Sequence, residues 1–148
     1  MKENKDTLLI VDEAQLLDES NLEEIRLLLN FQMNDRFLIT IMLLGQPEFK
    51  ERIRGIEQLD QRIAIKYHLA PFDFNDTARY ILFRQKKSGR KENLFSREAI
   101  ERIYEQSQGV PRKINNLCDM ALLIGYSKNE KLVNPRIIES IVQDGALF

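Results

Sequence analysis

The sequence predicts an α/β fold, in which a parallel β-sheet packs with helices and an all-helical lobe follows. Two unbroken apolar runs, at 7–11 and 37–44, are typical of strands that are covered on both faces of a parallel sheet. A third run, at 63–69, alternates apolar and polar residues, and Pro71 ends it. Helical patterns separate these runs, and buried strands that alternate with helices indicate a parallel sheet.

Helix signals fill the segments between the predicted strands. Ser20 and Glu23 have the spacing of a capping box, which predicts the start of the first helix. Pro47 suits the first turn of a short helix over 47–54, because proline is well tolerated at that position. A second short helix is predicted at 56–63, with its isoleucine and leucine side chains directed inward.

The second half of the chain carries only helical apolar spacing. Helices are predicted at 74–88, from Ser96 to Gly109, from Pro111 and from Pro135. We therefore expect two subdomains, an α/β portion at 1–71 and a helical lobe at 72–148.

The composition indicates a folded chain without a strong charge bias. Of its 148 residues 43% are hydrophobic, and the net charge is −1 although 30% are charged. This balance gives no indication of a nucleic-acid or membrane partner. The single cysteine excludes an internal disulfide and fits a reducing, cytoplasmic compartment. No apolar run approaches the ~20 residues of a membrane-spanning helix.

Two adjacent carboxylates, Asp12 and Glu13, directly follow the first predicted strand. The carboxyl ends of parallel strands are where this type of sheet binds its ligands. There, the first acid can hold Mg²⁺ through a water molecule, and the second can polarise the water that attacks a γ-phosphate. Alternatively, both acids only favour the start of a helix. The pattern alone leaves both interpretations open.

Two further polar residues could act at a nucleotide. Gln46 directly follows the second predicted strand, where it could contact a γ-phosphate or the attacking water. A plain strand-to-helix turn would have the same sequence. Arg62 lies at the end of a short helix and could reach the nucleotide of a neighbouring subunit as an arginine finger. The alternative is an ordinary solvated arginine.

The segment GVPRKIN, at 109–115, places two cations at the start of a helix. Arg112 and Lys113 lie in the first turn after Pro111. Positive charge at this end of a helix is unfavourable by about 0.3–1 kcal/mol. An anion would offset this cost, and it could be a protein carboxylate or, as we favour, a phosphate.

The segments LLIVDEAQLL, LLLNF, LLGQPEF, LDQRI and GVPRKINNLCD, in this order, resemble AAA+ ATPases of the general secretion pathway protein A type. Pilus-biogenesis and transposition ATPases are related, and the resemblance covers nearly the whole chain. It implies that Asp12 and Glu13 are the Walker B pair and that Gln46 is sensor 1. It further implies that Arg62 is the arginine finger, that Arg112 is sensor 2, and that the helical lobe is the lid.

The resemblance also implies cofactors and partners. It implies ATP and Mg²⁺, with Asp12 holding the metal through water, and assembly into a homo-oligomer or ring. The activity would be ATP hydrolysis that drives assembly or export by a bacterial envelope machine, together with a secretion partner protein. The expected location is cytoplasmic, with an anchor to the inner membrane in a segment outside this chain. A nucleic-acid partner is not expected, because the basic run at 84–91 lacks interleaved aromatic residues.

One departure from the family is large, because the pattern G-x-x-x-x-G-K-[ST] occurs nowhere in the sequence. Without that loop, no ring of backbone N–H groups holds the phosphates. We therefore expect the chain alone not to bind ATP tightly, and we interpret it as the C-terminal part of an ATPase module.

The missing loop also leads to expectations about the strands. The resemblance implies that the strands at 7–11 and 37–44 are neighbours and that the run at 63–69 lies beyond an absent strand. We expect the strands at 37–44 and 63–69 to pair directly, or a second copy to pair in a strand-swapped dimer.

Two other functions remain alternatives. One is a non-catalytic oligomerisation or interaction module, and another is the regulatory ATPase of a DNA transposition system. A helicase of the DEAD type would need a later Ser-Ala-Thr motif, which is absent.

Overall fold

The computed structural model describes residues 7–30, 32–33 and 36–145. The chain forms two compact units, one that ends at His68 and one that begins at Leu69. The first contains β1 (Thr7–Val11), α1 (Glu19–Leu28), β2 (Gln32–Met33), β3 (Arg36–Phe37), β4 (Ile39–Leu43), α2 (Pro47–Arg54) and α3 (Glu57–Asp60). The second contains α4 (Phe74–Lys87), α5 (Arg97–Ser107), α6 (Pro111–Ser127) and α7 (Pro135–Gln143). The predicted α/β fold class, with helices following the sheet, is confirmed.

Strands β1 and β4 form a parallel pair. Thr7 lies opposite Ile39 at one end of the ladder, and Val11 lies opposite Leu43 at the other. The predicted pairing of the two apolar runs is therefore confirmed. In the chain segment that connects these two strands, β2 and β3 form a short antiparallel pair.

The first unit has a small core on one face of the parallel pair. Its buried residues are Ala14, Leu22, Ile25, Phe49, Ile53 and Leu59. Val11, Ile41 and Leu43 pack against this cluster from the strands. Pro47 occupies the first turn of α2, as predicted, and helices α1 to α3 supply most of the apolar contacts.

The prediction that both strands are covered on both faces is wrong. Leu8 and Ile10 are each 54% exposed, and Met42 is 47% exposed. Side chains alternate between the faces of a strand, so these three lie on the face opposite Val11 and Leu43. Helices α1 to α3 of the first unit pack on the face that carries Val11, and, within the described residues, no helix of this unit packs on the face that carries Leu8 and Ile10.

The predicted strand at 63–69 is also wrong. The structure contains no strand there, and Ile65, Tyr67 and Leu69 are 85%, 85% and 81% exposed. A strand requires a neighbour for its backbone groups, and β1 is the only strand that pairs with β4 in the described part of the chain. Direct pairing with the 37–44 strand, which the sequence also suggested, is therefore not formed within this chain.

The first helix begins with a different capping box from the one predicted. Oδ1 of Asp18 accepts the N–H of Asn21 at 2.8 Å, and Oδ1 of Asn21 accepts the N–H of Asp18 at 3.4 Å. Glu23 instead forms an ion pair with Arg26. The predicted box was displaced because α1 begins at Glu19, which places Ser20 inside the first turn.

The second unit packs four helices around one apolar core. The buried core residues come mainly from α5, α6 and α7, and Ser96 caps α5 through the N–H of Ala99 at 3.1 Å, as predicted. Phe95 and Val133 form an isolated bridge that joins the segments before α5 and α7. Gly109, with a φ of +73°, lies in the turn between α5 and α6.

Candidate functional site

The exits of β1 and β4 are joined by backbone hydrogen bonds beyond the ladder. The N–H of Leu44 donates to the carbonyl oxygen of Val11 at 2.9 Å, and the N–H of Ala14 donates to that of Leu44 at 2.8 Å. Asp12 and Glu13 lie between these two bonds, directly after the end of β1. Both predicted acids therefore lie beside the exit of β4, at the carboxyl edge of the sheet.

Asp12 has one carboxylate oxygen that is not used in the described structure. Its Oδ1 accepts the N–H of Glu13 at 2.9 Å, and the residue is exposed. No described residue donates to Oδ2. A solvent-facing carboxylate oxygen is a ligand type that Mg²⁺ or its hydration water prefers.

Glu13 adopts a left-handed backbone conformation, with φ 51° and ψ 39°. This is uncommon for a residue that is not glycine, and it costs about 1–3 kcal/mol. A single 3-10 turn, Ala14–Leu16, follows, and Ala14 is fully buried in the core. The left-handed residue therefore turns the chain so that Ala14 enters the core while the carboxylate of Glu13 stays exposed.

Gln15 is a residue that sequence reasoning missed. Its Nε2 donates to Oε2 of Glu13 at 2.5 Å, and its Oε1 accepts the N–H of Gln46 at 3.2 Å. The guanidinium of Arg52, on α2, donates to the carbonyl oxygen of Gln15 at 2.9 Å. No sequence signal identifies Gln15, because its direction depends on the left-handed conformation of Glu13.

The backbone N–H of Gln46 is connected to Glu13 through the side chain of Gln15. It is the residue before α2, and its side chain caps no helix N–H. The side chain is exposed and forms no hydrogen bond with the described residues. The amide of the Gln46 side chain thus remains available to a ligand, while its backbone N–H is fixed by Gln15.

Arg62 directly follows Gln61, the C-cap residue of α3. Its N–H donates to the carbonyl oxygen of Leu59 at 3.0 Å, and the residue is exposed. It lines a shallow surface cleft with Arg26, Gln58 and Gln61. Its guanidinium forms no ion pair with any residue that the structure describes, so the structure does not bring it to Asp12 or Glu13 by direct contact.

Arg112 lies in the second unit, in the first turn of α6. No side chain caps this helix, and its preceding residue is Val110. Arg112 is exposed and forms no hydrogen bond or ion pair within the described ranges. No carboxylate partner of Arg112 is therefore found among the described residues.

The residues at the strand exits fit a magnesium ion better than they fit a phosphate. Among the described residues no cluster of three or more acidic, histidine or cysteine side chains forms a metal cage. Mg²⁺ does not require one, because it commonly takes one or two carboxylates together with water and substrate phosphates. In contrast, the 148 residues contain no glycine-rich loop of the phosphate-binding pattern.

Comparisons with known proteins find similarity in sequence and in fold. Residues 1–53 match the family model described as an AAA domain. The chain is 36% identical over 133 residues to General secretion pathway protein A from Aeromonas hydrophila, a match that covers 88% of this chain and 24% of the relative. The structure resembles that of a RuvB mutant from Thermotoga maritima with a TM-score of 0.66 at 17% identity, covering 93% of this chain and 45% of that one.

Residues 1–53 are therefore similar to an AAA domain, and the chain has the fold of the RuvB neighbour. Its similarity to General secretion pathway protein A confirms the resemblance drawn from the motifs. The chain spans about a quarter of that relative, at 24% of its length. None of the helices in the described ranges is long and apolar enough to cross a membrane.

Proposed function

We propose that this chain is part of an AAA+ module that hydrolyses ATP, with Asp12 and Glu13 as its Walker B pair. The observation that supports this is their position at the exit of β1, fixed beside the exit of β4 by the bonds between Val11, Leu44 and Ala14. Ligands bind at this edge of a parallel sheet. A role limited to starting a helix is not supported, because Glu13 forms no side-chain capping bond to the 3-10 turn that follows it, and α1 begins only at Glu19 with Asp18 as its cap.

The two carboxylates have different roles. Asp12 would hold Mg²⁺ through a water molecule with its unused oxygen, and the ion would supply positive charge beside the phosphate oxygens when bound. Glu13 accepts a proton from the attacking water as general base, a role that contributes about 10²–10⁴-fold to the rate. The exposed amide of Gln46 orients that water or contacts the γ-phosphate.

Two arginines complete the proposal. Arg62 acts on the nucleotide of a neighbouring subunit, and its exposure and lack of an ion pair with the described residues support this. Arg112 binds nucleotide phosphate as sensor 2. Its place in the uncapped first turn of α6 supports this, since a phosphate would offset the unfavourable charge there.

The phosphate-binding loop belongs, in this proposal, to sequence outside these 148 residues. The chain alone therefore does not bind ATP tightly, and the intact protein binds both ATP and Mg²⁺. The name of the relative refers to the general secretion pathway. We infer a cytoplasmic ATPase that acts on an envelope secretion component, tied to the inner membrane by another part of the protein.

Self-association is the second part of the proposal. The segment at 63–69 forms no strand pairing in the described chain, and Ile65 and Tyr67 are among its most exposed side chains. β4 also has an edge without a partner in the described residues. In a pair of copies, the 63–69 segment of each copy can form a strand on the free edge of β4 in the other. The intact protein can form the same pairing between neighbouring subunits of a ring.

The catalytic assignment is tested with Glu13→Gln in the full-length protein. We expect ATP binding to be retained and hydrolysis to fall by about 10²–10⁴-fold, because only the base is removed. Glu24→Gln is the matched control, since Glu24 is an exposed glutamate on α1. Unchanged turnover in Glu13→Gln would remove the Walker B assignment. Absence of ATP binding by the full-length wild type would instead favour a non-catalytic interaction module.

A further inference from the structure

We propose that Gln15 is a positioning residue for the general base, and that it makes the position of the Glu13 carboxylate depend on the exit of β4. This inference rests on the proposed role of Glu13. The observation that carries it is that one side-chain amide bonds to both elements. Its Nε2 donates to Oε2 of Glu13 at 2.5 Å, and its Oε1 accepts the N–H of Gln46 at 3.2 Å.

The chemistry of the two partners determines the orientation of the Gln15 amide. A carboxylate can only accept hydrogen bonds, so it must receive the NH₂ end. A backbone N–H can only donate, so it must face the oxygen end. Rotating the amide by 180° would break both bonds at once, and the bridge therefore has one favourable arrangement.

The backbone of Gln15 is itself fixed. Arg52, which is half-buried on α2, donates to the carbonyl oxygen of Gln15 at 2.9 Å. On its other side, Ala14 is fully buried and bonds through its N–H to Leu44. The core and α2 therefore hold the backbone from which the Gln15 side chain extends. This is required of a residue that orients the Glu13 carboxylate.

The bridge has a consequence for the base. With Oε2 occupied by Gln15, Oε1 is the oxygen of Glu13 that remains for the attacking water. The same amide holds the N–H of Gln46, whose side chain we assign to the water or the γ-phosphate. A movement of Gln46 when it contacts a ligand is thus passed to the carboxylate through one side chain.

The test uses Gln15→Met in the full-length protein, because methionine keeps the length of the side chain and removes both hydrogen bonds. We expect kcat for ATP hydrolysis to fall by about 10–100-fold, in line with the effect of misplacing a catalytic group by ~1 Å. The KM for ATP should change by less than about twofold, because the Gln15 amide is bonded to Glu13 and Gln46 and is assigned no contact with the nucleotide. Gln106→Met, at an exposed glutamine of α5, is the control and should leave kcat unchanged.

A double mutant separates positioning from a general structural effect. If Gln15 acts through Glu13, Gln15→Met should change the residual rate of Glu13→Gln by less than about twofold, since groups that act as a unit are not additive. A multiplicative loss in the double mutant, or a normal kcat in Gln15→Met alone, would overturn the inference. If Glu13→Gln itself retains full turnover, the proposed function fails before Gln15 is in question.

Discussion

The carbonyl oxygen of Phe72 lies 1.9 Å from the position that a Cβ on Gly109 would occupy. The N–H of Phe72 also donates to the carbonyl oxygen of Gly109 at 2.9 Å. This contact holds the segment before α4 against the turn between α5 and α6. Since α6 begins two residues later, the contact also fixes the turn that precedes Arg112.

Gly109→Ala should destabilise the helical unit strongly. The φ of +73° alone costs a residue with a side chain about 1–2 kcal/mol, and the clash with Phe72 adds to this. Gly89→Ala is the matched control, because Gly89 has a φ of +86° but nothing within 4 Å of the position that a Cβ would take. Urea unfolding of the 148-residue chain, followed by circular dichroism, measures both free energies of unfolding. Equal losses in the two variants would contradict the close contact.

Arg112→Ala should not lower the stability of the chain. The arginine has no ion pair within the described residues, and its charge is unfavourable at a helix N-terminus by about 0.3–1 kcal/mol. We therefore expect an equal or slightly higher melting temperature. In the full-length protein the same variant should weaken the ATP response, measured as the thermal shift on adding nucleotide. Arg102→Ala, which removes ion pairs to Glu105 and Glu139, is the control. A lower melting temperature for Arg112→Ala than for the wild-type chain would favour a structural role of Arg112.

Cys118 should react slowly with thiol reagents in the folded chain. Burial raises the pKa of its thiol to about 12, so the reactive thiolate is scarce at neutral pH. In the unfolded chain the pKa returns to about 8.5, so ionisation above that pH favours unfolding. The contribution of this group to stability should therefore be constant below about pH 8.5 and fall above it. Iodoacetamide alkylation at about pH 8, with and without urea, is the measurement, and equal rates would contradict the burial.

Charged residues in the unpaired segment should prevent self-association. Ile65→Lys with Tyr67→Lys places two cations where strand exchange would bury apolar side chains. We expect light scattering to show a lower mass for this variant than for the wild type at equal concentration. Leu123→Lys is the control, because Leu123 is an apolar residue of α6 that is 69% exposed. A wild type that remains monomeric at high micromolar concentration would contradict the proposal.

Much of the fold was determined by the sequence locally. Two apolar runs predicted the strands that pair, and Pro47, Ser96, Pro111 and Pro135 predicted where four helices begin. Caps, prolines and short periodic patterns act within a few residues, so each can be recognised without knowing the rest of the chain. For the same reason, the local pattern was sufficient to place two adjacent acids at the exit of β1.

Only the tertiary structure decided which of those elements are covered and connected. The run at 63–69 has the pattern of a strand, but a strand forms only where a neighbour accepts its backbone hydrogen bonds, and none does in the described chain. The exposure of Leu8 and Ile10 likewise depends on what packs above them. The position of the Gln15 side chain depends on several structural features at once, some of them distant in sequence. For this reason no local sequence pattern reveals it. Its role requires the left-handed turn at Glu13, the parallel pairing of β1 with β4, and Gln46 from 31 residues along the chain.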